Sequence, residues 1–225
     1  MERVASRLKL EGDGDLANSQ LLSCNDIDST DEFKCTALHK ASSKGSKGSV
    51  ERLIKRGSSL NARDSDDWTP LHWASAGGNL EAVRCLIDSG ADIEAVDYTA
   101  CTPLHKASMH GKTEVARYLL QNGCRINVSD EDGLTPLHKA ANFGYVNMVE
   151  LLIDHGADLT IVDDSARTPL DVAKAASHLE CTVVLEKQKI KCTTRKETKE
   201  GKGSMLVSNF SQVQHGEPDI DTVRN

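Results

Sequence analysis

Apolar and small residues recur along this chain with a period of 33 residues. Leucine occupies five positions at that spacing, and alanine occupies five more, each three residues after a leucine. The leucines are Leu38, Leu71, Leu104, Leu137 and Leu170, and the alanines are Ala41, Ala74, Ala107, Ala140 and Ala173. Residues three apart share one face of a helix, so each pair predicts a buried helical stripe on which alanine lets neighbouring helices approach.

A second apolar stripe follows later in each period. Val83, Leu86 and Ile87 have helical spacing, and Val149, Leu152 and Ile153 repeat the same arrangement two periods further on. A glycine separates the two stripes in the first four periods. Each period therefore predicts two short helices joined by a turn, and a connecting segment that we call a finger links successive helix pairs; each finger is numbered with the helices that follow it.

Polar residues and glycines mark the predicted ends of these helices. A threonine two residues before each leucine can accept a backbone N–H of the first turn, and proline follows it in four of the five units. A second glycine ends the second helix in a left-handed conformation. An aspartate five residues before each threonine predicts a tight turn, because its side chain can bond the backbone two residues further on. The threonines are Thr36, Thr69, Thr102, Thr135 and Thr168, and the aspartates are Asp31, Asp64, Asp97, Asp130 and Asp163.

The segments that begin at the five threonines read TALHKA, TPLHWA, TPLHKA, TPLHKA and TPLDVA. At a gapless spacing of 33 residues, they resemble the T-P-L-H-x-A signature of ankyrin repeats. The resemblance covers residues 31–187 and implies an all-α solenoid of stacked helix-turn-helix units with short hairpin fingers. In that family the histidine bonds to the threonine and ties neighbouring units together. We therefore expect His39, His72, His105 and His138 to be structural and not metal ligands.

Both ends of the chain depart from the repeat pattern. Residues 8–22 resemble a degenerate repeat, so we assign residues 1–30 to an N-terminal capping repeat. In the fifth unit Asp171, Ser177 and Glu186 replace the usual His, Gly and Leu, as a solvated C-terminal cap requires. Residues 188–225 are polar and aperiodic, which predicts a disordered tail. Its basic stretch from Lys187 to Lys202 fits a solvated tail best, with a nuclear import signal or a contact for an acidic partner as alternatives.

Charge and cysteine usage limit the partners and the compartment. Residues 187–225 contain eight Lys or Arg and five Asp or Glu, so residues 1–186 carry a formal charge of −10. An acidic body disfavours nucleic acid. The seven cysteines form no C-x-x-C pair, which predicts a reducing compartment, either cytosol or nucleus. We find no secretion signal and no run of about 18 apolar residues, so we expect no membrane association.

The sequence contains no nucleophile elbow, zinc-protease motif or nucleotide-binding glycine pattern, so we expect neither an enzyme nor a cofactor. The resemblance implies a non-catalytic protein–protein interaction module, such as an adaptor, scaffold or inhibitor. We expect one or more protein partners and a monomer when the chain is alone. The alternative is a sensor of an acidic ligand or nucleic acid that uses Lys40, Lys106 and Lys139.

Ankyrin proteins usually bind partners on the concave face formed by the fingers and the exposed side of the first helices. Five of the eight aromatic residues fall at these positions, namely Phe33, Trp68, Trp73, Tyr98 and Phe143. Exposed aromatic clusters often mark binding hot spots. The expected partner-binding residues are Trp68, Trp73, Tyr98, Lys106, Met109, His110, Lys139 and Phe143. The alternative is that Trp73 packs within the stack and that Trp68 covers the base of a finger.

Asn61 and Asn127 are candidates for modification. Each follows a leucine by eight residues, and in this they resemble the asparagines of ankyrin proteins that an asparaginyl hydroxylase modifies. The acidic residue usual two positions earlier is replaced by Ser59 or Arg125. The sequence leaves open whether either asparagine is hydroxylated.

Overall fold

Five pairs of short helices follow one another along the chain. The structure is a computed structural model that describes residues 26–204, with side chains up to residue 191. The first helices of the pairs are α1 (Ala37–Lys44), α3 (Pro70–Gly77), α5 (Pro103–Met109), α7 (Pro136–Asn142) and α9 (Pro169–Ala175). The second helices are α2 (Lys47–Lys55), α4 (Leu80–Asp88), α6 (Thr113–Gln121), α8 (Val146–Asp154) and α10 (Leu179–Ser204). No strand occurs within residues 26–204, and the predicted all-α solenoid is confirmed.

The first helix of every unit begins at the predicted threonine through a reciprocal pair of hydrogen bonds. In the third unit the Thr102 hydroxyl accepts the His105 N–H, and the Thr102 N–H donates to His105 Nδ1 over 3.1 Å. In the fifth unit Asp171 takes the place of the histidine and accepts the Thr168 N–H at 3.0 Å. These capping boxes satisfy backbone donors that a helix start otherwise leaves open.

Glycine ends several of these helices because the chain turns there with a positive φ. Gly45 and Gly78 close α1 and α3 with φ of 68° and 79°. Ser177 takes the same conformation in the fifth unit, with φ of 60°, so the turn persists where glycine is missing. A left-handed turn at this point reverses the chain direction and lays the second helix of each unit against the first.

A single apolar core follows the stack because every unit contributes equivalent residues. Leu38, Leu71, Leu104 and Leu137 are at most 1% exposed, and the alanines three residues later are at most 2% exposed. The second helices add residues such as Val83 and Leu86. Helices of seven to nine residues are marginal alone, so their stability comes from this packing between neighbours.

The four motif histidines join neighbouring units. The Nδ1 atom of each ring faces the threonine of its own unit, and Nε2 donates to a backbone carbonyl of the next unit. The acceptors are the carbonyls of Trp68 and Cys101 at 3.0 Å and of Leu134 and Arg167 at 3.1 Å. Because Nδ1 accepts the threonine N–H, these contacts require the neutral imidazole. The expectation of a structural role for these histidines is confirmed.

The fingers are tight turns tied to one another by single backbone hydrogen bonds. Within the second finger the Asp64 N–H donates to the Trp68 carbonyl over 3.0 Å. Between fingers the Ser65 N–H donates to the Phe33 carbonyl at 2.9 Å, and equivalent bonds join the later fingers. The finger tips therefore form one continuous edge along the stack.

The chain divides into two units, residues 1–186 and 187–225, which we describe separately. In the first unit, α10 buries Cys181 and Leu185 completely or nearly so. In the second unit, residues 187–204 are helical, and the disordered tail expected over residues 188–225 stays a prediction. Lysine, glutamate and glutamine are good helix formers, and no proline interrupts them there. Residues 205–225 lie outside the described residues.

The predicted N-terminal capping repeat falls almost wholly on residues 1–25, which lie outside the described residues. Its last part, residues 26–30, contacts the repeats through packing of Ile27 against the core and through a hydrogen bond of Asp28. The Ser59 N–H donates to Asp28 Oδ1 over 3.0 Å. One repeat later, at the equivalent positions, the Asp92 N–H donates to Asn61 Oδ1. The segment before the first unit thus makes the hydrogen bond that a preceding repeat makes.

None of the helices in the described part of the chain is both long and apolar enough to cross a membrane.

Two truncations near the C-terminus should locate the end of the repeat domain. Removing the residues after Gln188 should leave the melting temperature nearly unchanged, because Cys181 and Leu185, the buried residues of α10 among the side chains described up to residue 191, precede it. A chain that ends at Val184 loses Leu185, which is 1% exposed, and should lose about 2 to 5 kcal/mol of stability. Thermal unfolding of both truncated chains measures this. If removal of the tail alone unfolds the repeats, the boundary is wrong.

Candidate functional site

The repeated aspartates fix the shape of every finger. In the second finger Asp64 Oδ1 accepts the N–H groups of Asp66 and Trp68, both at 2.9 Å. Asp31, Asp97, Asp130 and Asp163 hold the other four fingers in the same way. The predicted role of these aspartates is confirmed, and they place the variable tip residues on one edge.

Both tryptophans are buried, so the expectation that they are exposed on the concave face of the fingers and first helices is wrong. Trp68 is 5% and Trp73 is 6% exposed, and they form a separate apolar cluster with Cys35 and Ala76. The rings lie 5.2 Å apart at 60°, and Trp73 Nε1 donates to Asp64 Oδ2 over 2.9 Å. The packing alternative describes them correctly, because the second oxygen of the finger aspartate draws the indole inward.

The three lysines occupy equivalent positions in their units, and each binds the Oδ2 atom of the finger aspartate in its own unit. Lys106 Nζ lies 2.5 Å from Asp97 Oδ2 and 4.5 Å from the centre of the Trp68 ring. Two equivalent pairs join Lys139 to Asp130 at 2.5 Å and Lys40 to Asp31 at 2.9 Å. In the first four units this position therefore holds a side chain that donates to the finger aspartate, either an ammonium or an indole N–H.

These ion pairs are short and partly or wholly buried. Burial alone would raise the pKa of the Asp130 carboxyl, but the hydrogen bond and charge of Lys139 outweigh burial and hold this pKa below its usual value. Asp97 shows the same balance with Lys106, so the net pKa of its carboxyl is also lowered. The side chains of Lys106 and Lys139 are only 7% and 12% exposed. Their charge is used inside the fold, which counts against their use for an acidic ligand.

The exposed aromatic residues lie at the finger tips and near the ends of the first helices. Tyr98 in the third finger is 63% exposed, and Phe33 in the first finger is 46% exposed. Met109, His110 and Phe143 are partly buried at the C-terminal ends of α5 and α7. We use the name finger face for the tips together with these helix ends.

Tyr145 belongs to this surface but was missed from the sequence. Its ring stacks on Phe143 with centroids 6.2 Å apart, and it is 38% exposed. It follows the left-handed Gly144, at the position where Asn79 and His178 bond carbonyls of the preceding unit. The sequence did contain a signal for Tyr145, namely an aromatic residue at a repeat position where other units contact the preceding unit.

Asn61 and Asn127 are exposed but their side chains are engaged. Asn61 Oδ1 accepts the Asp92 N–H, and Asn127 Oδ1 accepts the Asp158 N–H, each at 2.9 Å. Both asparagines therefore join one unit to the next. Hydroxylation of either asparagine remains a prediction.

Four of the five cysteine thiols described by the structure are poorly suited to nucleophilic catalysis. Burial raises the pKa of Cys124 to about 12, with a further contribution from the Glu94 charge. Burial likewise raises the pKa of Cys85, Cys101 and Cys181. The thiolate is the reactive form of cysteine, and a raised pKa leaves only a small fraction of each of these thiols ionised near neutral pH. Within the described residues, no three side chains of the types that bind metals are grouped as a metal site requires.

The sequence matches a known protein family. The family described as ankyrin repeats, in three copies, matches residues 4–97, 49–130 and 104–196. The matches cover most of the chain, and the chain belongs to the ankyrin-repeat family. Ankyrin repeats are generally protein–protein interaction modules and are typically non-catalytic. No curated protein matches this sequence.

Proposed function

We propose that this chain is a non-catalytic adaptor, scaffold or inhibitor that holds one or more partner proteins on its finger face in the cytosol or nucleus. The chain acts as a monomer until a partner binds. The observation that carries the proposal is the exposure of Tyr98, an aromatic ring 63% exposed at the centre of an edge whose backbone is fixed by hydrogen bonds. Rigid exposed aromatic side chains are frequent hot spots of protein interfaces.

The finger face combines surface residues with a buried support. Tyr98, Met109, His110 and Phe143 supply surface for the partner, as proposed from the sequence. Trp68, Trp73, Lys106 and Lys139 lie beneath it and fix the fingers on the first helices. A surface held in this way loses little conformational entropy when a partner binds.

Substitution of Tyr98 by alanine tests this proposal. We expect the affinity for a protein captured by the intact chain to fall about thirtyfold, because truncation of a hot-spot residue costs about 2 kcal/mol. The melting temperature should stay nearly unchanged, because the ring is exposed. Binding is measured by titration of the captured protein.

Val183→Ala on α10 is the matched control, because Val183 is also 63% exposed but lies outside the finger face. This variant should bind as the original chain does. Equal affinities for the original chain and for a Tyr98→Ala/Phe143→Ala double variant would contradict the proposal.

A further inference from the structure

The first and third fingers expose apolar side chains within a charged edge. Phe33, Val96 and Tyr98 are 46%, 37% and 63% exposed, and all three lie in finger segments of the first and third units. The backbone hydrogen bond from Ser65 to Phe33 and the one from Tyr98 to Asp66 connect these fingers through the second one. Apolar side chains displayed on a fixed edge of this kind are a common feature of interfaces.

The lysines near these side chains do not give the edge a positive charge. Lys40, Lys106 and Lys139 each pair with the finger aspartate of their own unit, at distances of 2.5 to 2.9 Å. In the fifth unit Arg167 pairs with Asp163 in the same way at 2.7 Å. Cation and carboxylate cancel within each pair, so the charge of the edge is set by the tip residues together with Arg63, which donates to the carbonyls of Asp67 and Val96.

The tip residues are strongly acidic. We count the three positions that follow each finger aspartate in the described fingers. Their carboxylates are Glu32, Asp66, Asp67, Glu131, Asp132 and Asp164, and their one cation is Lys34. Neighbouring units stack at helix-packing distances of about 8 to 10 Å, which is close to the screening length of physiological salt. The fields of carboxylates on adjacent fingers therefore add.

We propose that the finger edge binds a cationic protein segment that carries an apolar side chain, and that this side chain packs on Tyr98. The inference rests on the proposed function and names the chemical class of the partner. Lysine and arginine of the segment face the tip carboxylates on either side, while its apolar residue covers the exposed tyrosine ring. Attraction between opposite charges speeds the encounter and weakens with added salt.

Three synthetic peptides of equal length test the partner class by fluorescence anisotropy with the full chain. The first peptide alternates Lys and Arg around a central pair of leucines. The second replaces the leucines with serine, and the third replaces all cations with glutamate. We expect the first to bind at least tenfold more tightly than either of the others, and to lose affinity between 50 and 200 mM salt, a range over which screening increases by about twofold.

Two variants locate the binding. Asp67→Asn/Glu131→Gln removes two tip charges and should weaken the first peptide at least tenfold and flatten its salt dependence. Glu150→Gln/Asp154→Asn makes the same change of charge on exposed positions of α8 and should leave the affinity unchanged. Tyr98→Ser should remove the preference for the leucine peptide over the serine peptide.

Each contrary result has a defined meaning. Tighter binding of the glutamate peptide at the same tips would overturn the cationic partner and leave the proposed finger face intact. Equal loss in the tip and α8 variants would show that only net charge matters, and would overturn the inference. Absence of binding by all three peptides would also overturn it, whereas the Tyr98→Ala titration with a captured protein decides the proposed function separately.

Discussion

Replacement of Trp73 by alanine should lower the free energy of unfolding by about 3 to 5 kcal/mol, the usual cost of removing a buried large aromatic side chain. The ring is 6% exposed, contacts Trp68 and donates to Asp64. Its loss leaves a cavity in the cluster at the finger base and removes the N–H donor of Asp64 Oδ2, which then keeps only the weaker Cys35 thiol contact at 3.8 Å. Urea denaturation of the variant and of the original chain measures the difference.

A graded series separates the packing of the ring from its hydrogen bond. Trp73→Phe keeps an aromatic ring but removes the N–H donor, so it should lose less stability than the alanine variant. Tyr98→Ala is the surface control and should change stability by about 0.5 kcal/mol or less. If Trp73→Ala unfolds like the original chain but no longer binds a partner, the indole is a surface anchor and the packing interpretation is wrong.

Mild acid should destabilise the fold through the histidines that join the units. Burial lowers the pKa of His72 and of His105 to about 4, although the carbonyl that each Nε2 contacts acts in the opposite direction. In an unfolded chain the pKa of histidine is near 6.5. The unfolded state therefore binds protons first as pH falls. The stability that the neutral rings contribute is complete above about pH 6.5 and is lost as pH decreases towards 4.

The expected loss by pH 4 is roughly 3 kcal/mol for each of these two histidines, from the difference between the folded and unfolded pKa values. Urea denaturation at several pH values between 7 and 4 measures it. The pKa values of the finger aspartates Asp31, Asp97, Asp130 and Asp163 lie below their usual range, so their contribution is lost only in stronger acid. The histidine effect therefore falls between about pH 6.5 and 4, and the aspartate effect falls at lower pH.

A His72→Gln/His105→Gln variant provides the control for the acid effect. It should be less stable than the original chain at pH 7, because two links between units are weakened. Its stability should depend much less on pH between 6.5 and 4. An unchanged pH dependence in this variant would mean that other groups cause the acid destabilisation.

The repeated positions of the sequence predicted the fold correctly because each has a local physical reason. Threonine caps a helix, aspartate closes a finger and leucine fills the core in every unit, and the contacts recur 33 residues apart. The histidine links could be inferred only through the family resemblance, since their acceptors lie in the next unit. Because the period has no gaps, a residue role assigned in one unit could be assigned at the equivalent positions of the other four.

The binding face was harder to predict because a position in the repeat does not fix the direction of a side chain. Trp73, Lys106 and Lys139 stand at one repeat position, and all three turn towards the finger aspartate of their own unit. The repeat position alone predicted that these three side chains are exposed, whereas the hydrogen bond or ion pair with the finger aspartate turns them inward. The shared ability to donate a hydrogen bond was visible in the sequence and could have indicated this. Tyr98 and Phe33, which lie at finger tips beyond that aspartate, keep the expected exposure.

Site-specific photocrosslinking tests most directly the claim that the finger face binds proteins. A photoreactive phenylalanine analogue is placed at position 98 in one chain and at position 117 in another, where Arg117 is exposed on α6. Both chains are then irradiated in the same cell extract. Our account predicts that position 98 forms a crosslink to a discrete protein, that excess unlabelled chain suppresses this crosslink, and that position 117 forms none. Crosslinking of such a protein from position 117 but not from position 98 would contradict it and would place binding on the second helices.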